Sequence, residues 1–285
     1  MAAAKINQGA GLQRQWARTI AAYGAFALAC ITLLHPTFLD MVSLWAGSSS
    51  WRHGFFVAPI ALLLVWRRRH ETPAPAANIA ATAFVLAAGL IWLAGRAAGI
   101  ALIEQFAFVS VLIAGAVAIF GLAVIRTHAF ALAFLYLMVP FGEIFLPTLQ
   151  SITAQSVTFL LQLTGVIVQP DDYLIKTTAG VFNIAAACAG LNFLLAAIMA
   201  SLLVSFAWFE RWQKRLGFIA FAVIAAIAAN IARVYLIILL AGITPEEWRI
   251  ASDHFAFGLT LYVALIAALL AFGLHIADPS KKQRG

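Results

Sequence analysis

Cys188, Arg233 and His254 are the residues of this sequence that make the most complete chemical set. A thiolate is a nucleophile and an acyl carrier, and a helix N-terminus or a nearby cation raises its population. An arginine fork carries a permanent charge and can hold a tetrahedral oxyanion through two parallel hydrogen bonds. A histidine moves protons near neutral pH, here from the thiol to a leaving amine. Cys188 reads as the start of a helix, Arg233 interrupts a long apolar run, and His254 opens another run after Asp253. The three together suit acyl transfer through a thioester, with nucleophile, oxyanion holder and proton carrier each supplied.

Each residue also has a plainer reading. A lone cysteine among alanines is a small packing residue, as Cys30 is taken to be. A histidine at a helix start is often simply solvated. Arg233 is harder to dismiss, because a guanidinium within an apolar span is costly and such residues are functional candidates by default. Its structural alternative is an ion pair, for which Glu104 is the available acid. No acidic pair shares a face by spacing and no His/Cys cluster has metal-ligand spacing, so neither a metal nor a cofactor is expected.

The elements that must position these residues are membrane helices. Of 285 residues 64% are hydrophobic and 10% charged, far from the composition of a soluble domain. The fold class is an all-α integral membrane protein, a single polytopic domain over 1–285. Apolar runs predict about eight transmembrane helices, at 19–39, 55–66, 78–95, 100–125, 128–140, 188–209, 217–241 and 257–276. The net charge of +7 comes from basic clusters flanking these runs, such as Arg67–Arg69, Arg211–Arg215 and Lys281–Arg284, so no nucleic-acid partner is expected. Their distribution predicts both termini on the cytoplasmic side, the last as a basic tail over 277–285. Cys188, His254 and the outer end of the Arg233 helix then share the opposite face. Arg233 sits about 12 Å below that end, at roughly 1.5 Å per residue. An outer-face segment, 141–187, leads to Cys188. Its residues 144–168 mix Gln and Ser with apolar side chains and predict an amphipathic helix at the interface. Residues 172–184, β-branched and broken at Gly180, predict a small β-hairpin.

Three blocks of sequence carry a resemblance. Val181-Phe-Asn-Ile-Ala-Ala-Ala-Cys188-Ala-Gly190, Asn230-Ile-Ala-Arg233-Val and Asp253-His254-Phe-Ala-Phe-Gly258 resemble the Cys, N-x-x-R-V and His blocks of the exosortase/archaeosortase family of integral-membrane cysteine transpeptidases. A fourth block, His53-Gly-Phe-Phe-Val-Ala-Pro59 with Trp66-Arg-Arg-Arg69 behind it, adds to these. The blocks run in family order from Trp51 to about Gly273. Two positions depart: the serine usual after the cysteine is Ala189, and an acid often found two before it is Ala186.

The resemblance implies a bacterial inner-membrane enzyme with its site toward the periplasm and Cys188, Arg233 and His254 as catalytic residues. It implies exported protein substrates that end in a short Pro-Glu-Pro-like motif, a transmembrane helix and a basic cluster, in a setting of exopolysaccharide production. The partners are those substrates, membrane lipid and an acceptor of unstated chemistry. Arg52, His53, Lys176, Asn192, Asn230 and Arg249 are candidates for substrate binding; for the charged residues among them the reason is pairing with an acidic motif. Two other classes fit parts of the sequence: a small-solute transporter or flippase using Arg233 as an anion site, and a membrane acyltransferase using the outer histidine.

Overall fold

The structure is a computed structural model. It describes residues 2–48, 50–178, 180–243 and 254–279, with side chains for all of these except 2–10, 170, 187, 242, 243 and 254–257. The described residues are mainly helical, with one small sheet among them, as expected for an all-α membrane protein. Among the described residues seven helices are long and apolar enough to cross a membrane, and two shorter apolar helices, Gly54–Arg67 and Leu122–Met138, accompany them. Large apolar side chains such as Leu62, Phe84, Leu86 and Leu90 point outward, which is stable where the surroundings are hydrocarbon. The chain divides into two compact units, Met1–Phe141 and Gly142–Gly285.

The first unit contains α1 (Ala2–Leu33), α2 (His35–Gly47), α3 (Gly54–Arg67), α4 (Thr82–Ala98), α5 (Ala101–Phe120) and α6 (Leu122–Phe134). Two breaks differ from the sequence expectation. The apolar run 19–39 is not one helix: α1 ends at Leu33, and Pro36, in the first turn of α2, restarts the chain as a second helix. Residues 40–47, expected in a loop, are therefore helical. The run 100–125 breaks at Gly121, which has φ +88° and lies so close to the Ala76 carbonyl that a side chain there would overlap it.

Glu104 is buried in this unit at the start of α5. It accepts a hydrogen bond from Thr37 Oγ1 at 2.9 Å and faces Arg96 Nη1 at 3.6 Å. Trp92 Nε1 donates to Thr37 Oγ1 in turn. The acid considered as an ion-pair partner for Arg233 is thus satisfied by its own neighbours. Cys30 is buried against Ala88 and Val111, a packing residue as expected.

The second unit contains α7 (Leu146–Leu163), a sheet of β1 (Val168–Asp171), β2 (Leu174–Thr177) and β3 (Gly180–Asn183), and then α8 (Leu191–Trp208), α9 (Trp212–Ile243) and α10 (His254–His275). The expected hairpin is two strands of a three-stranded antiparallel meander in the order β1-β2-β3. β1 carries Pro170, which a ladder tolerates at an edge, and β1 is an edge. The stretch expected as an interfacial helix forms α7, and Phe141–Leu163 is itself long and apolar enough to span. One face of α7 (Ala154, Val157, Leu161) closes on Ile175 and Ile184 of the sheet region and on Val234 and Ile238 of α9. Phe193 and Ala197 of α8, Ala222 and Ala226 of α9 and Leu269 of α10 form a second core. The small alanines let these helices approach closely, as packing within lipid requires.

Candidate functional site

Cys188 lies at the end of a single 3-10 turn, Ala186–Cys188, and not on the first turn of α8 as the sequence suggested. Its N–H donates to the Ala185 carbonyl at 2.7 Å, and its half-buried side chain packs against the core shared by α7, the sheet and α9. Gly190 follows as the residue preceding α8, with φ +84°. That left-handed conformation is what turns the chain from the cysteine turn into the helix, and a residue with a side chain adopts it only at a cost. Gln150 of α7 holds the segment just before the turn, donating to the Ile184 carbonyl at 3.0 Å.

Asn230, in the middle of α9, reaches this turn. Its Nδ2 donates to the Cys188 carbonyl at 3.0 Å and to Thr153 Oγ1 of α7 at 3.3 Å. Its Oδ1 accepts from Arg233 Nη2 at 3.2 Å. The carboxamide fills the space over Gly190, where an added β-carbon would lie 2.5 Å from Asn230 Cγ. One buried side chain therefore touches both the cysteine main chain and the arginine fork.

Arg233 is one turn further along α9 and half-buried. Its Cζ lies 5.5 Å from the centre of the Phe193 ring, a cation–π contact from α8. Its Nε is buried with no hydrogen-bond partner among the described residues. Its Nη1 faces Gly258 of α10, at 3.3 Å from where a β-carbon would stand. Gly258 is four residues, about one turn, after His254, so the two lie on the same face of α10. His254 begins that helix, and its side chain lies outside the described residues.

The other candidates divide. Asn192 is half-buried in the first turn of α8. Lys176, on β2, is paired with Asp171 at 2.8 Å, which holds the Asp171 carboxyl below the usual range. Arg52 is exposed in a turn of the first unit. His53, next to it, sets its two ring nitrogens 3.0 Å from the Ser50 carbonyl and 3.2 Å from the Leu137 carbonyl. Burial of the ring holds its pKa below the ordinary value, against the pull of those two carbonyls. Arg249 and Asp253 lie outside the described residues. Sequence reasoning missed Thr153 and gave Gly190 no role; Thr153 carries no local signal, because its partner Asn230 is 77 residues away.

Comparison with known proteins gives one assignment. The sequence model of a family described as transmembrane exosortase matches residues 45–272, most of the chain. No protein of curated function and no solved structure matches.

Proposed function

Because the chain belongs to the transmembrane exosortase family, a family of sortase-like membrane transpeptidases acting on proteins with sorting signals, we propose that it is a cysteine transpeptidase working through Cys188, Arg233 and His254. Its substrates are exported proteins with a C-terminal motif, a transmembrane helix and a basic tail. The site faces the periplasm of a bacterial inner membrane, and exopolysaccharide production is its setting. The observation that supports this reading best is the link from the Cys188 carbonyl through Asn230 to Arg233, with Arg233 seated on the helix that His254 begins.

The chemistry runs in two balanced halves. The Cys188 thiol gives its proton to His254 and its sulfur attacks the scissile carbonyl carbon. The carbonyl π electrons move onto oxygen, and the Arg233 fork stabilises that oxyanion. The intermediate collapses to a thioester as the C–N bond breaks, and the amine leaves with the proton from His254. An acceptor hydroxyl or amine, or water, then attacks the thioester. It passes its proton to His254, the acyl C–S bond breaks, and the departing sulfur takes that proton back as the thiol.

Co-expression with a tailed substrate, followed by C-terminal mass spectrometry, tests the reading. Cys188→Ala is expected to insert normally and leave the substrate uncut, whereas wild-type processing by this variant would end the thiol mechanism. A membrane-impermeant maleimide applied from the periplasmic side is expected to label Cys188 and spare the buried Cys30. Labelling from the cytoplasmic side alone would reverse the topology.

A further inference from the structure

The sequence reading gives Asn230 to the substrate, but the site buries it and leaves it no free donor. Resting on the cysteine-transpeptidase reading, we infer that Asn230 is a positioning residue, and that with Thr153 it locks the main chain of Cys188 to the guanidinium of Arg233.

The geometry is fully committed. Asn230 is 2% exposed. A carboxamide has two N–H donors and one carbonyl oxygen. Here both donors are directed, to the Cys188 carbonyl and to Thr153 Oγ1, and the oxygen accepts from Arg233. The orientation of the amide is set by its partners: a carbonyl can only accept and a guanidinium can only donate, so the flipped amide would fail at both ends. Thr153, 2% exposed on α7, ties the same amide to a second helix. Gly190 provides the room for it. On the far side the Arg233 fork is bounded by the Phe193 ring and by Gly258, so the bond at Nη2 fixes its plane.

The choice of an amide is itself chemical. A neutral Asn230 orients Arg233 and leaves its charge undiminished for thiolate and oxyanion. An aspartate of the same shape would neutralise that charge and could not donate to the Cys188 carbonyl, which would lose this donor.

Two measurements on the full chain, both in a Cys30→Ala background, test this. One is substrate processing; the other is the rate of Cys188 alkylation by iodoacetamide across about pH 6 to 9. Asn230→Asp is expected to cut processing by about a hundredfold or more, the scale of losing a preorganised donor. Asn230→Ala, which brings no charge of its own, is expected to move the alkylation midpoint to higher pH, a change that a merely structural role would not produce in the folded fraction. Thr153→Val is expected to reduce processing by about tenfold, the scale of one buried hydrogen bond, and Thr153→Ser to restore it.

An unchanged alkylation midpoint in Asn230→Ala overturns the inference. If that variant does not fold, equal processing by Thr153→Val and Thr153→Ser overturns it instead. The two ideas also fail separately. Processing by Cys188→Ala removes the transpeptidase reading. A dead Cys188→Ala beside fully active Asn230 variants keeps that reading and removes the positioning role.

Discussion

A β-carbon on Gly258 would stand 3.3 Å from Nη1 of Arg233 and 3.7 Å from its Cδ, so the arginine rests on the bare backbone of α10. The tighter of these contacts is with the end of a flexible side chain, which can yield by a few tenths of an ångström. Gly258→Ala is therefore expected to be mild, a loss of about tenfold or less. Gly258→Val pushes the fork further, and a misplacement near 1 Å costs about a hundredfold. Processing per inserted molecule measures both. A fully active valine variant would show that Arg233 does not need its seat.

Gly190→Ala is expected to be more damaging than any of these to the fold. The left-handed backbone costs a side chain about 1–2 kcal/mol, and the overlap with Asn230 adds overpacking of about 1–3 kcal/mol. The melting temperature in detergent should fall clearly. The double variant Gly190→Ala/Asn230→Ala should regain part of that stability, because the closest overlaps, with Asn230 Cγ and Nδ2, are gone while that with its Cβ remains, yet stay inactive. Equal melting temperatures for single and double variants would show that Asn230 is not the obstacle.

Arg233→Lys is expected to insert normally and lose about a hundredfold in processing, because an ammonium keeps the charge and loses the planar fork. Near-normal turnover would show that a point charge suffices. Absence of the lysine variant from the membrane would favour a structural role.

His254→Ala is expected to be inactive, while changes at His35, His70, His128 and His275 are mild. Should His53→Ala be dead and His254→Ala active, the proton carrier has been misassigned.

Acidification is expected to destabilise the first unit through His53. The folded ring resists protonation relative to its ordinary value of 6.5, because burial disfavours the imidazolium. The unfolded chain takes up its proton near 6.5, so between that value and the folded pKa it binds more protons than the native state. Stability is full above 6.5 and falls as the pH drops through it. His53→Asn should flatten that part of the melting-temperature profile, and an identical acid slope in both proteins would remove His53 as its source.

The last three helices were readable because their solvent is lipid: the expected 188–209, 217–241 and 257–276 become α8, α9 and α10 within a few residues. Breaks were not, since hydropathy is blind to them. Gly121 sits in continuous apolar sequence, and its close approach depends on Ala76, distant along the chain; Leu34 precedes His35 and Pro36, a helix-restart signal that hydropathy does not weigh. Polar residues within α7 show a related limit. Gln150 and Thr153 look like a solvated face, but they are hydrogen-bonded to Ile184 and Asn230. A polar side chain looks the same in sequence whether its partner is water or another helix. Cys188 and Arg233 stood out because a nucleophile and an intramembrane cation are rare there, whereas the Asn230–Gly190 contact has no one-dimensional trace.

That contact constrains how such a chain can change over generations. The carboxamide at 230 and the missing side chain at 190 occupy complementary space, so the two codons are not free to drift apart. A lineage that gained a methyl group at 190 first would meet the overlap at once. One that shortened 230 first would open the space but pass through an ancestor whose Cys188 carbonyl had lost its donor. Both orders run through an impaired intermediate, so the Cys-Ala-Gly block and the Asn-x-x-Arg block are expected to be inherited as one unit although forty residues separate Gly190 from Asn230.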